Sequence, residues 1–544
     1  VNFLTTIFVK LRARAQSPVV IEVHGTRLVP FSGADIERHV QTARAALHAL
    51  GVERGSRVAL FAPNSARWIA TDLAILASGA TMVPLYSRQN PVELAKMVAD
   101  AGATLVIAAD ETLAASYEPT AGEKVATYAE LDALAEGVEP PPEVTLEAND
   151  VVTIIYTSGT SGEAKGVLLD RANLDFMIPR TVDQLGLVLR DPSRVDRVFH
   201  FLPFCFAGSR LMLFTQLYRG NPITVSTDLN NLVQELGTAD AHYFLNVPAL
   251  LERIRRGVGQ QIAQKGGVAA TLYSGALRAI AAGDTAPLGD RLLLAVARKI
   301  VFPKIRAKIG PSLEFLVCGS APLSAETQRW FETMGIPVYQ VYGLTETTGI
   351  VTMDRPDTAE PGTVGVAIDG VEMKLGEGDE LLVRGPNVFR GYWNRDEATA
   401  EAIQDGWFHT GDQAEIDERG RLRVIGRVKN LLVPESGHNV APEPIEEKLM
   451  ELCPSIEHAV VVGHARPYLT VLVTGTTDAD VAPAIEALNA ELPFYRRLRA
   501  YHITSEPLTI ESGLLTANQK LRRKVISAHF ASEIDAMYAR GAKG

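Results

Sequence analysis

Apolar and polar positions follow two rhythms over the first two-thirds of the chain. Ala34 to Leu50 repeats apolar residues every three or four positions, which predicts a helix with one buried face. Arg57-Val-Ala-Leu-Phe61 and Ala103-Thr-Leu-Val-Ile-Ala108 are short apolar runs, which predict buried strands, and Gly, Pro and Asn punctuate the joins. Helices alternating with wholly apolar strands require a parallel sheet covered on its faces, so the expected fold class is α/β. The Pro/Glu-rich stretch Gly137-Val-Glu-Pro-Pro-Pro-Glu143 predicts a surface connection, and the alternation resumes after it. From Ala359 to Ile425 the rhythm shortens into strands and turns, as in Gly378 to Pro386 and Gly420 to Gly426, which predicts a small β-rich subdomain. Beyond Lys429 a helix (Pro442 to Leu452) and strands (Ala459 to Gly463, Thr470 to Val473) predict a compact α+β unit. The layered α/β part with its β-rich subdomain is thus expected to form a large N-terminal domain, followed by a small C-terminal one.

Composition narrows the class. With 544 residues, 47% hydrophobic and 22% charged, the chain has the make-up of a multidomain globular protein. A formal charge of −11 argues against nonspecific nucleic-acid binding. Cys205, Cys318 and Cys453 are few and scattered, offering neither a disulfide framework nor zinc spacing, so a reducing cytosol is the expected compartment. The opening Val1-Asn-Phe-Leu-Thr-Thr-Ile-Phe-Val-Lys-Leu-Arg places its charges after its apolar patch, the reverse of a signal peptide, and predicts an amphipathic helix. No run of about 18 apolar residues exists to span a bilayer, which leaves peripheral contact with the inner membrane face open.

Chemistry concentrates at Tyr156-Thr-Ser-Gly-Thr-Ser-Gly-Glu-Ala-Lys165-Gly166, which follows the β-branched run Val151-Val-Thr-Ile-Ile155. Glycines let successive N–H groups turn inward around an anion, the hydroxyls add donors, and Lys165 adds a compact cation. A nucleoside triphosphate suits such a loop. It is not a Walker loop, because Lys165 is followed by Gly166 rather than Ser or Thr. Four more clusters follow. Gly319-Ser-Ala-Pro322 lets a flat ring approach the backbone, and Tyr342-Gly-Leu-Thr-Glu346 offers an aromatic face, a hydroxyl and a carboxylate suited to Mg²⁺. Asp412, after a Gly turn, can accept from a ribose diol, with Arg427 and Lys429 nearby in sequence. Lys520 follows the Thr-containing loop Gly513 to Gln519 and precedes a basic helix start. Each cluster alone also fits a plain structural role: a solvated turn, an N-cap at Ser324, an Asx turn, or surface charge.

Taken in order, these segments resemble the adenylate-forming superfamily of acyl-CoA synthetases, luciferases and nonribosomal-peptide adenylation domains, and the likeness covers essentially the whole chain. Asn439 to Glu446, Arg466 to Thr470 and Thr509 to Thr516 are most similar to long-chain fatty acyl-CoA ligases. The resemblance implies an N-terminal adenylation domain over 1–428, binding ATP and the acyl group, and a mobile C-terminal domain over 429–544 hinged at Lys429. It implies that Thr157, Ser158, Gly159, Thr160, Ser161, Gly162 and Lys165 bind the triphosphate, that Gly319, Ser320, Ala321, Pro322 and Tyr342 flank the adenine, and that Gln340 and Gly343 also belong to the nucleotide site. Thr345 would contact phosphate, Glu346 with Thr157 would hold Mg²⁺, Asp412 and Arg427 would bind ribose, and Lys520 would act in adenylation. Phe206, Val247 and Gly343 would line the acyl site, and the segments Phe199 to Phe214 and His242 to Leu250 would supply an apolar tunnel or, equally, ordinary core.

The implied activity joins a fatty acid to CoA with ATP, through acyl-AMP and release of pyrophosphate. Other outcomes are transfer to a carrier-protein thiol or an amine, or a catalytically idle acyl or nucleotide sensor. The chain departs from the family pattern at Ala164, where Pro is common, and at Asp170-Arg171, where Thr-His is usual. Phe206 stands where many relatives have His, and Arg210 where some carry a gating Trp, so the acyl gate is the least defined part of the expectation.

Overall fold

A computed structural model describes residues 2–158, 164–516 and 519–541. Two large sheets dominate the N-terminal part. One has seven strands, with Thr81–Leu85, Arg57–Phe61, Leu105–Ala108 and Lys124–Thr127 in parallel order beside Val151–Ser158. Val58, Ala59, Leu60 and Phe61 are all buried, which is why this strand reads as an unbroken apolar run rather than an alternating one. The helix Gly33–Ala49 buries Ile36, Val40, Ala43 and Leu47 and packs on the helices Ala66–Ala77 and Tyr128–Ala135, and it starts where Ser32 and Asp35 cap each other's backbone N–H groups.

The second large sheet has nine strands, among them the parallel neighbours Tyr243–Asn246, Leu316–Cys318 and Val338–Tyr342. Sequence predicts a strand over Leu313 to Cys318, but only its second half is one. Glu314 is drawn out of register: its N–H donates to the His242 carbonyl at 2.7 Å, and its carboxylate pairs with Arg194 at 2.9 Å. The N-terminal helix Phe3–Ala13 is amphipathic as expected, burying Phe3, Leu4, Ile7, Phe8 and Leu11, with the Phe3 ring 5.4 Å from that of Phe214.

A five-stranded antiparallel sheet, including Glu380–Arg384, Trp407–Ile416 and Leu422–Arg427, forms the β-rich part. The C-terminal unit has its own three-stranded sheet and its own core around Leu449, Val461, Val471 and Leu488. The predicted order of a large α/β part, a β-rich section and a small α+β unit is therefore what the chain adopts. No helix among the described residues is long and apolar enough to cross a membrane.

Candidate functional site

Three neighbouring parallel strands end at one place. Val247 follows Tyr243–Asn246, Gly319 follows Leu316–Cys318, and Tyr342 closes Val338–Tyr342. Ligands in α/β sheets sit beyond the carboxyl ends of strands, where loops are free to carry chemistry. Gly319 has no room for a side chain, since a Cβ there would lie 2.7 Å from Val341 Cγ2. Ser320 adopts the left-handed region at φ 76°, which turns the chain sharply and leaves Ser320, Ala321 and Pro322 exposed. Ser324 also caps the next helix, accepting from the Thr327 N–H at 3.2 Å, so the structural role and the open ledge coexist. Gln340 does not join them: it is buried, and its side-chain amide donates to Gln328 Oε1 and the Thr363 carbonyl, both at 2.9 Å. Its carboxamide holds the β-rich section to the sheet, away from the cleft.

Asp412 is the electrostatic centre. The Tyr342 hydroxyl donates to its Oδ2 at 2.6 Å, and Arg427 Nε approaches Oδ1 at 2.8 Å, because Asp412 and Arg427 face each other in the register of adjacent strands. Burial, then the Asp412 charge, pushes the Tyr342 phenol well above its ordinary range, so it stays a donor. A carboxylate has about four lone-pair sites, leaving Asp412 acceptors for a diol.

The phosphate loop lies between paired strands: Thr157 faces Lys165 and Ser158 faces Ala164 across an antiparallel hairpin. Gly159, Thr160, Ser161 and Gly162 lie outside the described residues. The Lys165 ammonium stands 5.0 Å from the centre of the Tyr392 ring, whose hydroxyl donates to Glu346 Oε1 at 2.9 Å. Tyr392 thus ties the loop's lysine to Glu346, and its phenol is held protonated by burial first and the Glu346 charge second. The segment is stitched in by backbone contacts: Gly391 and Tyr392 pair with Leu168 and Val167, and the Phe389 N–H donates to the Glu346 carbonyl at 2.8 Å. Sequence reasoning missed Tyr392, which sits in a two-residue strand too short to show any period. Glu346 and Thr345 share a single 3₁₀ turn, and Gly343 packs its α-carbon against the Gly349 backbone, which excludes any side chain there.

Lys520 comes to the same cleft from the C-terminal unit. Its turn is fixed by backbone: the Thr516 N–H donates to the Lys520 carbonyl at 2.8 Å, and the Lys520 N–H to Thr516 Oγ1 at 3.1 Å. Solvent reaches the side chain, yet protein surrounds it deeply, as at the bottom of an open well. Loss of water is the main influence and lowers its pKa below the ordinary lysine range; Arg427 adds to this, while Asp412 and Glu346 act against it. Lys429 lies exposed in the short turn Val428–Asn430, where the two parts join.

The acyl side is less open. Phe206 is half-buried at the start of the helix Ala207–Arg219, its ring 5.8 Å from that of Tyr86. Phe199, Phe204, Phe214 and Phe244 are buried in the hydrophobic cores. Between the hairpin and this helix remains a cavity of about 10 Å³, lined by Ile155, Leu169, Leu174, Leu211, Phe214 and Arg210 among others. That is room for about one water. Arg210 is buried and paired with Asp72, which is fully buried too.

For Mg²⁺, no group of three or more His, Cys, Asp or Glu converges among the described residues. One carboxylate suffices where phosphate oxygens and water complete the shell. Tyr392 occupies a single position on Glu346, so the donor set fits a magnesium ion that arrives with a nucleotide.

The profile of the AMP-binding enzyme family matches residues 11–393, and that of the AMP-binding enzyme C-terminal domain matches 429–542. The long-chain-fatty-acid–CoA ligase FadD15 of Mycobacterium bovis is 31% identical, over 93% of this chain and 92% of its own. A feruloyl-CoA synthase of an Amycolatopsis species is 29% identical, over 94% and 97%. The o-succinylbenzoate CoA synthetase of Bacillus subtilis, solved with its acyl-adenylate intermediate OSB-AMP, superposes with a TM-score of 0.74 at 18% identity, covering 96% of this chain and 97% of that one.

Proposed function

We propose, for a chain that belongs to the AMP-binding enzyme family, that it is an acid–CoA ligase which activates a fatty carboxylate with ATP and hands the acyl group to CoA. The observation that carries this reading is that Lys520, from the C-terminal unit, lies within electrostatic reach of Arg427, Asp412 and Glu346, with Arg522 two residues on paired to Glu93 of the N-terminal part at 3.2 Å.

In the first half-reaction the carboxylate attacks the α-phosphorus of ATP, forming the mixed anhydride acyl-AMP and expelling pyrophosphate. Negative charge builds on the phosphate oxygens, and Lys520 is the cation placed to balance it, while Lys165 and Thr157 receive the departing phosphates. Asp412 and Arg427 fix the ribose and the Gly319–Pro322 ledge takes the adenine, with Tyr342 against it. A bound magnesium ion would neutralise β- and γ-phosphate charge, with Glu346 and Thr157 as its holders. In the second half-reaction the CoA thiolate attacks the acyl carbonyl and AMP leaves with the electron pair. Lys520 fills the cleft the thiol must enter, so the C-terminal domain, residues 429–544, swings about Lys429 between the steps.

The similarity to FadD15 and the half-buried apolar positions Phe206 and Val247 support a fatty, long-chain acid. Each buried CH₂ contributes about 0.8 kcal/mol, so longer chains gain affinity until the cavity ends. The similarity to feruloyl-CoA synthase makes aromatic acids the competing result. The test supplies ATP, Mg²⁺ and CoA with a panel of fatty and aromatic acids and follows acyl-CoA, AMP and pyrophosphate. AMP formed without acyl-CoA for any acid overturns CoA as acceptor, and a preference for aromatic acids overturns the fatty-acid assignment.

A further inference from the structure

The connection between the neighbouring strands Tyr243–Asn246 and Leu316–Cys318 is not a single helix but four: Pro248–Lys265, Gly267–Ala282, Leu288–Ile300 and Phe302–Ile309. Residues 248–310 contain eleven Lys and Arg against three Asp and Glu, a net of +8 in a chain of −11, so the rest of the protein carries −19. The few acids are largely occupied. Asp290 pairs with Arg278 at 2.7 Å, and Glu252 accepts from Ser324 and Thr327 at 2.7 and 2.8 Å. Lys265, Arg298, Lys299, Lys304 and Lys308 make no ion pair among the described residues.

The helix Leu288–Ile300 is the outermost of the four in character. Ala297 is fully buried and Leu293 packs on Gly275 of the preceding helix, which fixes the inner face. Leu288 and Leu292, four positions apart, stand on the opposite face and are 84% and 67% exposed, with Ala295 one turn on and also exposed. Lys299 continues that line, and Arg291 and Arg298 flank it. Val268 and Ile300, 77% and 51% exposed, add apolar surface on the same helical pair. Exposed leucines bordered by unpaired cations, on an otherwise acidic protein, match a surface that is itself apolar beneath a layer of negative charge.

We propose that the outer face of the helix Leu288–Ile300 docks on an anionic lipid bilayer, with Leu288 and Leu292 entering the headgroup layer and Arg291, Arg298 and Lys299 meeting lipid phosphates. The −19 elsewhere turns the remainder of the molecule away from such a membrane, which fixes the orientation. The excursion leaves the sheet at Val247, beside the cleft, and returns at Leu316, the opposite end of the neighbouring strand, so docking of its helices holds the Val247 side of the cleft toward a lipid-dissolved acid. This consequence rests on the fatty-acid reading above; the docking itself does not.

The test is sedimentation of the full chain with vesicles of phosphatidylcholine alone or mixed with phosphatidylglycerol. Wild type is expected to partition onto the anionic vesicles and to come off at high salt. Arg298→Gln/Lys299→Gln is expected to weaken partition by about fivefold per charge. Leu288→Glu/Leu292→Glu is expected to abolish it while ligase activity on a water-soluble acid stays unchanged. Val233→Glu, at another exposed apolar position, is expected to bind as wild type. Equal binding to neutral and anionic vesicles, wild-type binding by the Leu288→Glu/Leu292→Glu chain, or equal loss in Val233→Glu each overturns the proposal. Retention on poly-glutamate without binding to vesicles assigns the face to an acidic protein and overturns it as well.

Discussion

Replacing Lys520 by Ala should separate the two proposed half-reactions. Its turn is held by hydrogen bonds of the Lys520 and Thr516 backbones and the Thr516 hydroxyl, none of which needs the lysine side chain, and solvent reaches that side chain. The fold should therefore survive the substitution, and removing a desolvated ammonium should leave the melting temperature unchanged or slightly raised. Catalysis is another matter. Removing one preorganised donor to developing charge costs about 10²- to 10³-fold in rate, or ~3–4 kcal/mol of transition-state stabilisation. Acid-dependent pyrophosphate release should fall by that factor, while formation of acyl-CoA from supplied acyl-AMP should stay within about threefold of wild type.

The pH profile adds a second reading. Burial and Arg427 lower the Lys520 pKa, so the required cation is present at low pH and is lost as pH rises through a value below that of an ordinary lysine. Adenylation should thus fail on the alkaline side earlier than a free lysine would allow. Lys520→Arg should move that limb upward, because a guanidinium does not deprotonate in this range. Equal loss of both half-reactions in Lys520→Ala, or an alkaline limb unchanged in Lys520→Arg, would remove the role given to this residue.

Tyr392→Phe removes the hydrogen bond to Glu346 Oε1 but keeps the ring beneath Lys165; the magnesium concentration for half-maximal rate should rise severalfold with little change in melting temperature, and an unchanged requirement would separate Glu346 from the metal. Asp72→Ala strands the buried Arg210 charge and should cost ~3–5 kcal/mol in denaturant unfolding, most of it recovered in Asp72→Leu/Arg210→Met; a single-variant loss under ~1 kcal/mol would refute this. Asp354 is fully buried, and desolvation raises its pKa to about 7. Between its unfolded pKa near 4 and pH 7 the fold favours the protonated acid, so ionisation costs progressively more stability as pH rises and the full cost is present above 7. Asp354→Asn should raise the melting temperature most at pH 8 and little near pH 4; a gain independent of pH would refute the assignment.

Residues whose roles depend on local backbone were legible from sequence. Gly319 announces close approach, Lys165 announces the loop, and the apolar run at Arg57 to Phe61 announces a strand buried on both faces. Residues whose roles depend on tertiary register were not. Tyr392 reaches Glu346 only because its two-residue strand pairs with Val167 and Leu168, and Gln340 turns from the cleft only because Gln328 and Thr363 are there to receive its amide. Periodicity carries no record of either. The segment Phe199 to Phe214 meets a related limit: aromatic residues signal burial without saying whether ligand or protein does the burying, and Phe199, Phe204 and Phe214 pack in protein cores.

Arg522 lies two residues beyond Lys520 and meets Glu93 of the N-terminal part at 3.2 Å, with both side chains partly open to water. A pair so wetted contributes between nothing and ~1 kcal/mol, not much above the energy of ambient agitation. If the tail moves as proposed, such a fastening would yield without a driving stroke, and its departure would be timed by the loss of pyrophosphate's negative charge rather than by the strength of the clasp.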